Sequence, residues 1–224
     1  MTGKLSALTL ILFLALPAVW GAEKKTSATD GIAVGLGGGA GLFHAYAVNN
    51  SELTWDPGLS INFGLIFEKM FTNRLGLHSG LWFQHGKVWF KSPDAGFLVD
   101  KAYVEMSILQ IPIDCIIAFN AGFFTFDILA GLSLSQVIES NMKIKEPAAT
   151  NIDFLHAMNY FQMALDLGFN LKFRVGRFTD LFIGVKSHAY LLPTMQDERG
   201  DKDNFSYDLQ ASAGIMFHMS IFPF

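Results

Sequence analysis

The chain has 224 residues, 22 of them phenylalanine, a single cysteine and a formal net charge of −4. One domain is the default at that length; Cys115 alone excludes an internal disulfide and reads as a small buried or lipid-facing side chain, and Lys and Arg are too few and too scattered for a nucleic-acid partner. Mean hydropathy is +0.33, yet beyond the first twenty residues no apolar run is long enough for a helical span, so the apolar side chains must be spread by alternation.

Met1–Gly21 reads as a secretory signal peptide. Lys4 supplies the positive start, Leu5–Leu16 the apolar core and Pro17 its end, with Val19 and Gly21 at the −3 and −1 positions of a cleavage site. Residues 22–30 are small and polar, a flexible leader, and residues 31–224 form the remaining domain. In Gly31–Tyr46, Ile32, Val34, Leu36, Ala40 and Leu42 share one parity and Gly35, Gly37, Gly39 and Gly41 the other. The spacing Gly35-x-Gly37-x-x-Ala40 loosely matches a dinucleotide fingerprint. That motif needs a helix opening at its end, whereas Leu42–Tyr46 continue as strand. The glycines are read as lumen positions of a narrow barrel, where neighbouring side chains leave little room.

Six more segments repeat the alternation: Leu59–Phe71, Leu75–Val88, Tyr103–Phe119, Phe124–Ile138, Leu181–Leu191 and Phe205–Ile221. The clearest instance is an eighth, Tyr160–Val175. There Phe161, Met163, Leu165, Leu167, Phe169, Leu171, Phe173 and Val175 oppose Gln162, Asp166, Asn170, Lys172 and Arg174. Successive strand side chains point to opposite faces, so this is a strand with one greasy and one wet side. Pro112 has no N–H and implies a bulge or a missing ladder bond.

The connections alternate strictly. Thr72–Arg74, Asn120–Gly122 and Gly176–Asp180 are short; Ala47–Gly58, Trp89–Ala102, Glu139–Asn159 and Leu192–Asn204 are long and polar. Tight periplasmic turns opposite long extracellular loops are the pattern of outer-membrane barrels. The predicted fold is all-β, an eight-stranded antiparallel up-and-down transmembrane β-barrel in the outer membrane of a diderm bacterium. Tyr46, Trp55, Trp89, Tyr103, Tyr160, Tyr190 and Tyr207 sit near the long-loop ends, as an aromatic girdle would.

Tyr103–Asp114 (YVEMSILQIPID) resembles the aromatic-x-Glu…(Glu/Gln)-Ile-Pro strand of the small PorT-like outer-membrane β-barrel proteins. Ile128–Ser135 (ILAGLSLS) is similar to the strand that follows it in that family, and Leu165–Leu171 and Ala213–Phe217 fit its last strands. The resemblance implies an eight-stranded barrel in the outer membrane and no single agreed activity.

The parity sends Glu68, Asp114, Asp127, Asp166, Lys172, Arg174, Lys186 and Asp208 inward as a lumen charge network of both signs. Eight strands enclose about the volume of their own side chains, so opposite charges should pair there, Asp127 with Lys172 or Arg174. No catalytic residues are assigned: there is no nucleophile elbow, and the six histidines lack metal-ligand spacing, so no metal or cofactor is expected and the chain does not read as an enzyme. The partners expected are outer-membrane lipid, the outer-membrane insertion machinery reading the last strand through Phe222 and Phe224, and a surface ligand or host molecule at the loops. The function expected is a structural or surface-interaction role through four extracellular loops. The alternative is a narrow channel or transporter for small, hydrophobic solutes of the OmpW kind, for which Trp82 and Leu129 on the lumen side leave room.

Overall fold

The computed structural model describes residues 31–47, 54–91, 102–144, 150–153, 160–192 and 204–219. The signal peptide and leader expected over residues 1–30, and Phe222 and Phe224, lie outside the described residues. The strands are β1 (Ile32–Ala47), β2 (Thr54–Asp56), β3 (Gly58–Met70), β4 (Leu75–Lys91), β5 (Ala102–Asn120), β6 (Phe124–Ile144), β7 (Thr150–Asp153), β8 (Phe161–Arg174), β9 (Thr179–Tyr190) and β10 (Asn204–Met219). The eight long strands close into one antiparallel ring, β1-β3-β4-β5-β6-β8-β9-β10, with β10 paired back onto β1. Short β2 and β7 extend it by pairing with β4 and β6.

Alternation explains the strands and their two faces. Along β8 exposed and buried residues trade places from Phe161 to Lys172. The exposed set is apolar all round the ring, including Leu65, Leu167, Ile183 and Phe217, an exterior too greasy for water. On β5 the outward apolar row runs from Leu109 to Phe119. The ten steps between them, at about 3.4 Å each and tilted by about 40°, rise about 26 Å, the height of a bilayer's apolar band.

The register fixes the ring's size. Stepping through paired residues once around gives Ala33, Glu68, His78, Asp114, Gly131, Asp166, His188, Asp208 and then Phe43. The walk returns to β1 ten residues above its start. Eight strands with that offset tilt by about 41° on a cylinder of about 8 Å backbone radius. Side chains fill such a space, and glycine is required where a large one crosses it. A Cβ at Gly64 would meet the Trp82 ring at 2.6 Å, and one at Gly37 would meet it at 2.8 Å.

The structure departs from the sequence reading in two of the long connections and at Tyr190. The expected loops Trp89–Ala102 and Glu139–Asn159 are partly strand: β4 and β5 stay paired to Phe90 and Ala102, and β6 continues to Ile144. The phase break behind this lies opposite Ser107 and Ile108, where Ile108 pairs with Val137 but Ser107 with Glu139. Ile138 is the extra residue, so Ile138 and Glu139 are both exposed between buried Val137 and Ser140. At Pro112 the second of the two expected outcomes holds: the β4–β5 ladder skips Gly80 and Leu81, across from Ile111 and Pro112. Tyr190 is not a girdle residue. It is buried in the lumen with its ring 6.1 Å from Phe43, because its parity is that of His188.

Candidate functional site

The interior is built from the inward parity of all eight long strands. At the end carrying the long connections it is capped by apolar side chains, among them Phe43, Val88, Val104, Met106, Ile108 and Val137. Toward the short turns, Ile66, Phe182 and Met216 pack with Trp82 on one wall, and Ile116 and Leu129 on another. The ionisable groups thread between these clusters. Glu68, His78, Asp114, Asp166, His188 and Asp208 all lie on the single paired row that winds once around the barrel. Eight steps of about 4.8 Å at this tilt climb about 25 Å, so the row is a ribbon traversing the apolar thickness.

Two lysines pin the ribbon. Lys172 lies between Glu68 and Asp127, 2.6 Å from Asp127 Oδ2, and also binds Glu68 Oε2. His78 Nδ1 is 3.0 Å from the other oxygen of Glu68. Lys186 Nζ donates to Asp114 at 2.5 Å and to Asp166 at 3.3 Å. Asp166 also accepts from Ser133 and faces His188 Nδ1 at 2.7 Å. At the top, Asp208 Oδ2 accepts from Gln84 Nε2 at 3.0 Å and from Gln210 Nε2 at 2.8 Å, and Asn62 Nδ2 donates to Gln210. A buried charge is tolerable only when paired and hydrogen-bonded; these contacts give each carboxylate a partner, while Asp114 Oδ1 and Asp208 Oδ1 have no hydrogen-bond partner among the described residues. Room for water in the middle is about 30 Å³, bounded by His78, Trp82, Gln110, Lys186 and His188, space for about two waters.

Seven of the eight ionisable residues assigned inward therefore lie in this interior: Glu68, Asp114, Asp127, Asp166, Lys172, Lys186 and Asp208. Arg174 does not. It shares their parity but stands at the last position of β8, past the wall; its side chain is 65% exposed and its Nε is 3.5 Å from Asp180 Oδ1. Asp127 is thus paired with Lys172, not Arg174. The histidines were undervalued in the sequence. His78 and His188 carry the lumen parity of their strands, which was the available signal, and His218 meets Asp180 at 2.7 Å at the turn-end rim. Among the described residues no three His, Cys, Asp or Glu side chains are placed to hold a metal ion. Cys115 points outward.

A second polar surface lies outside the ring. Above the apolar band, β4, β5 and β6 continue with charged residues on the outward parity. Lys87 Nζ is 2.8 Å from Glu105 Oε1, and Lys143 binds the other oxygen. Hydrogen bonds from Lys143 and then Lys87 hold the Glu105 carboxyl below its ordinary value of 4.5. His85 Nδ1 contacts Ser107 Oγ at 3.1 Å, Asn141 donates to Glu139, and Trp89 packs on Tyr103 with ring centroids 4.8 Å apart. Charges on this parity cannot sit in lipid, so this part of the sheet stands in water. At the boundary Tyr160 and Tyr207 are exposed outward, and His44 stacks on Tyr207 at 5.1 Å.

A family model described as outer membrane protein beta-barrel domain matches residues 23–190. No curated protein matches the chain. Among solved structures, the outer membrane protein OprG from Pseudomonas aeruginosa is similar with a TM-score of 0.52 at 11% identity, over 85% of this chain and 96% of that one. A major outer membrane protein from Thermus thermophilus is similar with a TM-score of 0.50 at 12% identity, over 84% and 99%. At such identities the likeness is one of fold.

Proposed function

Since the chain belongs to the outer membrane protein beta-barrel domain family, we propose that it is a closed, non-conducting barrel of the bacterial outer membrane whose role is surface interaction at its outer sheet extension. Within the family the Tyr103–Asp114 motif favours the PorT-like barrels. The observation that carries the reading is the outward charge on β4, β5 and β6 above the apolar band, the trio Lys87–Glu105–Lys143. It supports a rigid, water-exposed platform, widened by β2 and β7, and function on a barrel concentrates where a rigid scaffold presents its connections. The partner would be a surface ligand or host molecule, and the platform needs no catalytic group.

The narrow-channel alternative requires an open path for solute. The paired lysines, the Trp82 ring and the apolar cap from Phe43 to Val137 weigh against it. The test has two arms. Purified protein in planar bilayers should give no steady single-channel steps. Replacing residues 145–149 with a two-residue Asn-Gly turn should leave the folded, heat-modifiable band on a gel intact while abolishing adhesion of protein-bearing vesicles to host-cell or matrix surfaces. Stable conductance, or adhesion indifferent to the replacement, overturns the reading.

A further inference from the structure

The two rims treat their cations differently. At the loop end Lys87 and Lys143 share Glu105. At the turn end Lys69 and Arg177 have no carboxylate partner among the described residues; each lies over an aromatic ring instead. Lys69 Nζ is 5.8 Å from the Phe71 centroid, and Arg177 Cζ is 5.2 Å from that of Phe178. Lys69 occupies the outward parity of β3, below Phe63, Leu65 and Phe67, where an ammonium must stretch toward the nearest polar layer. Phe71 and Phe178 are themselves exposed at the lower edge of the apolar band, so the cations over them sit at the same depth as the rings. The exposed Arg174, 3.5 Å from Asp180 through its Nε, stands at this rim as well.

The ring order says what can reach both cations. The β3–β4 turn and the β8–β9 turn stand diametrically opposite, three strand pairings apart whichever way the ring is followed. A globular partner docked on one wall would touch only one of them. The lipid annulus touches both at once. We infer that Lys69 and Arg177 form two opposed sites for the phosphate groups of phospholipid in the leaflet at the short-turn rim, giving the barrel a preference for anionic headgroups there.

The experiment uses the whole protein in phosphatidylcholine vesicles carrying spin-labelled phosphatidylglycerol or spin-labelled phosphatidylcholine. The ratio of their association constants is read from the motionally restricted component of the spectrum. One cation near a membrane surface is worth about fivefold in affinity for anionic lipid, so averaged over the annulus the wild type should prefer the glycerol headgroup by about two- to fivefold. The preference should fall toward unity in about 1 M NaCl, where the screening length is about 3 Å. Lys69→Gln with Arg177→Gln should abolish it, and Lys69→Arg with Arg177→Lys should retain it. A ratio of one for the wild type at low salt overturns the inference without any variant needing to fold. So does a preference that survives the glutamine pair, which would place the anion elsewhere on the wall.

Discussion

Lys172 is the side chain whose loss should cost the barrel most. Its ammonium is 2.6 Å from Asp127 and also bound to Glu68, and all three side chains are almost wholly buried. At an effective dielectric of about 20 one such pair has a gross attraction of about 6 kcal/mol, most of it offset by desolvation of several kcal/mol per ion. Lys172→Met keeps the desolvation and removes the attraction, leaving Glu68 and Asp127 dehydrated with only His78 nearby. The expected loss is about 4–5 kcal/mol. Asp127→Asn should cost less, about 1–2 kcal/mol, because Lys172 retains Glu68. In the double variant the two changes should couple by about 1–3 kcal/mol, since the second removes a charge the first left unpaired. Urea-dependent folding into lipid vesicles, read for the wild type and the three variants, measures all these terms. If Lys172→Met costs less than Asp127→Asn, or the two add without coupling, the lysine is not the hub of the lower cluster.

Other outcomes follow from the same geometry. Leu167→Arg, on the outward row of β8, should lose about 2–4 kcal/mol in the same vesicle assay, and Val175→Arg at the rim about 0–1 kcal/mol; equal losses would contradict the placement of the lipid band. Gly64→Val drives a side chain into the Trp82 ring and the Leu81 carbonyl and should lower stability by about 1–3 kcal/mol; Trp82→Ala in the same chain should recover only the part due to the ring, and no recovery at all would remove the ring from the account. The depressed Glu105 carboxyl stabilises the outer sheet extension when ionised, so that contribution is present above its ordinary value of 4.5 and is lost as pH falls through the lower folded value. Hydrogen exchange corrected for intrinsic rate should show the upper ends of β5 and β6 opening progressively as pH falls below 4.5, with Glu105→Gln opening them at neutral pH too. Insensitivity to both changes would remove the trio from the account of the extension.

The eight long strands were legible because the lipid-facing row of each is an almost unbroken apolar series with period two, which β8 states most plainly. Which residues face inward was legible for the same reason, and Gly37, read as a lumen glycine, does lie against Trp82. Partnership was legible only between neighbouring strands, as for Asp127 of β6 with Lys172 of β8, and not across the ring. Glu68 and Lys172 are 104 positions apart, and their meeting depends on a ring offset that emerges only when every pairing is summed. Arg174 was misplaced because parity gives direction but not height, and its strand ends at its own position. The outer sheet extension was hidden by one residue: Ile138 shifts the phase, so the alternation looked finished where it had only changed sign. The ribbon of acids and histidines needed both pieces of information, parity and register, and the sequence carries only the first openly.

Trp82 also gives the barrel an optical probe of its own assembly. Its indole belongs to β4 but packs with Ile66 of β3 and Phe182 of β9, and a Cβ at Gly37 of β1 would strike it. β1 and β3 can join β4 as neighbouring hairpins, but Phe182 of β9 arrives only when strands from the far side of the sheet come round to meet them. The emission of Trp82 should therefore stay water-like through insertion and hairpin formation and shift to the blue at the moment the ring seals. In a variant retaining Trp82 as the sole tryptophan, stopped-flow fluorescence would time closure separately from membrane adsorption, a distinction that the gel shift of the folded band records only at the end.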